Sequence, residues 1–136
     1  MKVMLDPGAY MPEKAYRWDA GFDIRTPERV VLRAHDSVVI DTGVHVEIPN
    51  GFVGFLKSKS GLNVNHDITG EGVIDAGYTG SIRAKLYNNG PVMHIFERGD
   101  KIIQLVFLAI YNPELELVDD LKNTERGNNG FGSTGK

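Results

Sequence analysis

The chain has 136 residues, 41% hydrophobic and 24% charged, which fits one soluble domain large enough to bury a core. A net charge of −3 gives no general attraction to nucleic acid or to an anionic membrane. The lack of cysteine excludes disulfides and thiolate metal sites, and without a signal-like N-terminus or a membrane-length apolar run the expectation is a cytoplasmic protein.

Lys2 to Leu5 reads as a short strand, stopped by the turn signal Asp6-Pro7-Gly8. Residues 9–19 show no clean period and read as a loop carrying the only tryptophan, Trp18. Asp19-Ala20-Gly21-Phe22-Asp23-Ile24 reads as a small-residue corner displaying acids beside a glycine. Val30–Leu32, Ser37–Asp41, Val44–Ile48 and Phe52–Leu56 are β-rich runs broken by turn signals, the spacing of a sandwich or barrel. Lys57 to Asn63 breaks this pattern. It either starts one short helix, with Ser60 near an N-terminus suited to an anion, or is a Ser-capped turn with solvated lysines.

From Gly72 to Gly80, Val73 and Ile74 bring the carboxylate of Asp75 to a strand end, and Tyr78 follows across a glycine turn. An acid and a flat ring together point to a small-molecule pocket, against the plainer reading of a decorated hairpin. Ser81–Asn88, Val92–Phe96 and Leu115–Val118 read as strands, and Lys101–Ile110 is the longest apolar run and so the best candidate for a buried one. The tail from Glu125 to Lys136 is rich in glycine and asparagine and carries Arg126 and Phe131. With almost nothing to bury it reads as a mobile arm, of a composition that suits a lid over an anion and a ring. The expected division is a β-rich domain over residues 1–124 and an arm over 125–136.

Ala20-Gly21-Phe22-Asp23, Lys59-Ser60-Gly61-Leu62, Gly72 to Gly80, Gly99-Asp100-Lys101-Ile102-Ile103-Gln104-Leu105 and Arg126 to Gly135 occur in that order. Together they resemble the motifs of the trimeric deoxyuridine triphosphatase (dUTPase) family. The resemblance implies an all-β, jelly-roll-like subunit with one short helix. It also implies a homotrimer whose sites lie at subunit boundaries and are closed by a neighbour's arm.

The activity implied is hydrolysis of dUTP to dUMP and pyrophosphate, with water attacking the α-phosphorus. By the resemblance, Asp75 orients and deprotonates that water, and Tyr78 packs on the deoxyribose and rejects a 2′-hydroxyl. Ser60, Gly61, Gln104 and Arg126 match phosphate contacts, as does Lys59, although the family usually has arginine there and lysine loses the bidentate fork. Backbone groups between Asn63 and Tyr78, those of Gly72 and Ile74 among them, would read uracil. Phe131, with Gly132 and Ser133, would form the lid, and Phe96 is a second aromatic able to stack on the base. The expected cofactor is Mg²⁺, held mainly by the triphosphate, with Asp23 either a ligand through water or only a brace for the corner.

A dCTP deaminase of the same fold would need a glutamate where Lys85 stands, and nothing acidic lies between Ser81 and Gly90. A non-catalytic regulatory relative is the other alternative, opposed by matched residues at every catalytic position except Lys59. Gly130 to Lys136 fits the spacing of a phosphate-binding loop but lacks the following helix that motif needs. His35, His45, His66 and His94 show no helical metal-ligand spacing and read as structural.

Overall fold

The computed structural model describes residues 1–130. In chain order its elements are β1 (Lys2–Leu5), β2 (Gly21–Arg25), β3 (Val30–Leu32), β4 (Ser37–Asp41), β5 (Val44–Glu47), β6 (Phe52–Lys57), α1 (Ser60–His66), β7 (Ile68–Ile74), β8 (Arg83–Asn88), β9 (His94–Phe96) and β10 (Lys101–Ala109). A curled sheet of order β2-β10-β6-β7-β8-β4 is flanked by the pairs β1-β5 and β3-β9. All its ladders are antiparallel.

Alternation explains which side of each strand faces inward. In β8, Ala84, Leu86 and Asn88 are buried while Arg83, Lys85 and Tyr87 face out. One core results, containing Ile24, Leu32, Ile40, Leu56, Ile68, Ile82, Leu86, Phe96, Ile103 and Leu105. The polar side chains inside it are bonded: Thr42 donates to Ile82 O at 2.7 Å, and Asn88 donates to Val92 O at 2.8 Å and accepts from Gly90 N at 3.0 Å. In β10, Ile102 and Ile103 are both buried because the register against β2 shifts between Lys101 and Ile103. A bulge of this kind re-aims its neighbours, so Lys101 and Gln104 emerge together on the sheet's outer side.

Two expectations change. The corner at Asp19 to Ile24 is in large part strand β2, because Phe22 and Ile24 pair with Leu105 and Ile103 of β10 and Asp23, between them, pairs with Gln104. Leu115–Val118 forms no strand; Leu115 and Leu117 are 94% and 98% exposed, and among the described residues they pair with no other strand.

Candidate active site

β2, β10 and the turn after β6 converge on one carboxylate. Asp23 pairs in register with Gln104, which pairs with Lys57. Lys59 donates to Asp23 Oδ1, and Lys101 Nζ lies 2.7 Å from Oδ2, the carboxylate side chain being only 12% exposed. Burial pushes the Asp23 carboxyl up, but hydrogen bonds and charge from Lys101 and Lys59 outweigh it and hold it below the usual carboxylate range. Both oxygens are thus paired with ammonium groups. Of the two expected roles of Asp23, ligand through water or brace for the corner, this pairing is that of a brace. Among the described residues no cluster of three His, Cys, Asp or Glu side chains is arranged to hold a metal ion.

The same bracing continues into the turn before α1. Gln104 Nε2 donates to Ser58 O at 3.0 Å, and Ser58 Oγ both donates to Gly70 O at 3.2 Å and accepts from Gly70 N at 3.0 Å. Lys59 is the N-cap of α1 without a side-chain cap bond, so Ser60 does not cap; it opens the helix and is exposed together with Gly61. Beyond its own helix and chain neighbours, no described residue lies within 4 Å of where a Cβ on Gly61 would be, which leaves open space over its backbone.

Asp75 follows β7 directly and is exposed. Gly77 has φ +85°, a conformation costly for other residues, and this closes a turn in which Tyr78 N donates to Asp75 O at 3.2 Å. Tyr78 is fixed as well: its hydroxyl donates to Ser81 O at 2.9 Å, and a Cβ at Gly80 would fall 2.5 Å from that hydroxyl. The ring therefore stays 45% exposed yet tethered at its far end. Ile74 points its side chain into the core, and Gly72 and Ile74 pair with Leu56 and Gly54 of β6.

These two groups of residues are far apart within one chain. Ser58 clasps Gly70 at one end of β7, and Asp75 stands five residues on, about 16 Å along an extended strand. Arg126 joins neither group; its Nε donates to Asn129 O at 3.1 Å within its own exposed turn. Phe96 is 1% exposed, with its ring 4.5 Å from that of His94, so it is core and cannot stack on a base. The expected lid residues Phe131, Gly132 and Ser133 lie outside the described residues.

Comparison with known proteins decides what this arrangement belongs to. The dUTPase family model matches residues 8–135. The chain belongs to the dUTPase family. Among its relatives, the deoxyuridine 5′-triphosphate nucleotidohydrolase of Thermobifida fusca is 38% identical over 135 residues, covering 96% of this chain and 75% of that one. That of Candida albicans is 39% identical, covering 100% of this chain and 88% of that one. A mutant dUTPase of Staphylococcus bacteriophage 80alpha, solved with dUpNHpp, superposes with a TM-score of 0.92 at 33% identity, covering 99% of this chain and 98% of that one. A mutant dUTPase of phage phi11 of S. aureus, described with a structural Mg(II) ion, gives 0.82 at 33% identity, covering 90% and 98%.

In this dUTPase-family chain, sequence reasoning found the exposed residues and missed their supports. Lys101 falls in a motif and in the longest apolar run, which assign its side chain no role, yet its ammonium is half of the Asp23 clasp. Ser58 stands just outside the Lys59 to Leu62 motif. Asp41, which accepts from Ser81 Oγ, and His45, whose Nδ1 lies 2.8 Å from Thr79 O, hold the turn after Tyr78 from another hairpin. Each support joins segments 12 or more residues apart, and no local pattern marks such a pairing.

Proposed function

We propose that the chain hydrolyses dUTP to dUMP and pyrophosphate, with Asp75 orienting and deprotonating the attacking water. The observation that carries this is the turn from Asp75 to Tyr78: an exposed carboxylate one residue past a rigid strand, beside a ring tied down at its hydroxyl. Membership of the dUTPase family and likeness to a dUTPase solved with dUpNHpp support the same reading. Tyr78 offers its ring to the deoxyribose, where a 2′-hydroxyl would clash. Gly72 and Ile74 read uracil through backbone groups.

The phosphates lie over Ser60 and Gly61, with Lys59 nearby. Gln104 keeps one amide hydrogen on Ser58 O and has a second to offer a phosphate oxygen. Magnesium arrives on the triphosphate and offsets its charge; the described residues present no cage for it. Because Asp75 and the Ser60 turn are about 16 Å apart along β7, a complete site needs both from different copies, which favours a homotrimer with shared sites. Arg126, Phe131, Gly132 and Ser133 then close a neighbour's site as an arm. A cytoplasmic location goes with a nucleotide substrate; among the described residues no helix is long and apolar enough to cross a membrane.

The test is pyrophosphate release with Mg²⁺ from dUTP, dTTP, dCTP and UTP. Turnover of dUTP is expected to be far the fastest, and comparable rates from all of them would overturn the specificity. A deaminase reading has no support, as Lys85 is exposed on β8 beside Tyr87.

A further inference from the structure

The turn that carries Tyr78 is gripped from outside by one imidazole. His45 lies on β5 opposite Met4 of β1, and its side chain is 16% exposed. Its Nδ1 is 2.8 Å from Thr79 O; a carbonyl only accepts, so Nδ1 carries the proton. Its Nε2 is 3.2 Å from Asp6 Oδ2, just past β1, but off the line of a hydrogen bond, so the contact is one of charge. Thr79 adjoins Tyr78, and Ser81 and Ile82 bond to Asp41 and Val44, on either side of the β4–β5 turn.

We propose that His45 is a positioning residue of the dUTP site, holding the Thr79 carbonyl and with it the Tyr78 ring, and that its grip weakens as the imidazole loses its second proton. The proposal rests on the reading of Asp75 to Tyr78 as the substrate-facing turn. With two ring protons His45 serves both Thr79 O and the Asp6 carboxylate. With one it cannot. Keeping Nδ1–H turns the Nε2 lone pair toward Asp6 at 3.2 Å, and keeping Nε2–H sets a lone pair against Thr79 O at 2.8 Å. Either tautomer exchanges an attraction for a repulsion.

Three acidic groups and two basic ones surround the ring. Asp6 faces it from just past β1, and Asp41 lies at the end of β4, itself 3.7 Å from Arg83 of β8. The Lys2–Glu47 pair, 3.0 Å apart, borders the same cavity of about 350 Å³ as His45 and Thr79. The hydrogen bond to Thr79 and the nearby carboxylates of Asp6 and Asp41 lift the imidazole above its ordinary value of 6.5 against a desolvation push downward. A raised value means that the grip is complete below 6.5 and is lost as pH rises through the lifted one.

The experiment compares wild type, His45→Asn, His45→Ala and Asp6→Asn in kcat and KM for dUTP from about pH 6 to 9, beside NMR titration of the His45 ring without substrate. Losing the grip is expected to lower kcat/KM of His45→Ala at the acid end roughly tenfold, mainly through KM, with little change in Tm. His45→Asn keeps an amide N–H where Nδ1 was, so it should recover most of that loss and abolish the alkaline decline. Asp6→Asn should lower the ring's titration point. A ring that titrates at or below the ordinary value and ignores Asp6→Asn overturns the proposal, and so do superimposable pH profiles for wild type and His45→Asn. If wild type leaves dUTP intact, the functional reading fails, while the substrate-free titration still decides whether the tether exists.

Discussion

Asp75 and Tyr78 divide the work of one turn, and each can be removed without touching the core. Asp75 is exposed beyond β7, so amidation leaves packing intact while removing the only group in the turn able to take a proton from water. Asp75→Asn should fold and assemble as wild type does yet lose about 10²–10⁴ in kcat, the usual worth of general-base help. Circular dichroism and light scattering check the fold, and single-turnover pyrophosphate release checks the chemistry; activity within a factor of about three of wild type would place the base elsewhere. Asp23 stands in contrast. It is an acid in the corner from Asp19 to Ile24, but its two ammonium partners make it a clamp on the turn before α1.

At the level of elements, β7 is where site and scaffold share the same residues. Ser58 can clasp the backbone of Gly70 only if nothing projects there, and the space behind Gly70 is already filled. A Cβ at position 70 would fall 2.8 Å from Lys85 O, 2.9 Å from Ile103 Cδ1 and 2.9 Å from Leu86 Cδ2. A carbonyl held in a ladder cannot retreat as a flexible side chain can. Gly70→Ala should therefore cost about 2–3 kcal/mol in urea unfolding and lower dUTP turnover by loosening Ser58; a stability change under about 0.5 kcal/mol would show that the sheet yields there. The element pattern itself was largely legible. Turn signals such as Asp6-Pro7-Gly8 and Asn89-Gly90-Pro91 bracketed strands that formed, and Lys59-Ser60-Gly61 did open a helix. Strand β2 was hidden because a glycine and an acid alternate with its apolar residues. Leu115–Val118 has the alternation of a strand, but alternation reports a face to be covered and does not supply the neighbouring edge. Asp75 and Tyr78 were legible because they are local to one turn, whereas the His45 and Ser58 contacts exist only once distant segments pair.

For the whole molecule, that uncovered alternation and the split site lead to the same expectation. Leu115, Leu117 and Leu121 are 94%, 98% and 80% exposed, a run of apolar surface that a lone chain leaves in water. Covering one leucine is worth about 1.5–3 kcal/mol, so two per chain, counted over three chains, are enough to decide an assembly state. The wild-type protein should therefore be a trimer by light scattering, and Leu115→Ser with Leu117→Ser should shift it toward monomer. Activity should fall in parallel, because Asp75 of one copy then loses the Ser60 turn of another. Removing residues 125–136 separates the two roles of the C-terminal region: the trimer should survive, while dUTP turnover drops at least tenfold as Arg126 is lost from the γ-phosphate. A deletion variant that is monomeric would make the arm part of the assembly, and a wild-type monomer with full activity would require both halves of the site to come from one chain, against the roughly 16 Å between them on β7.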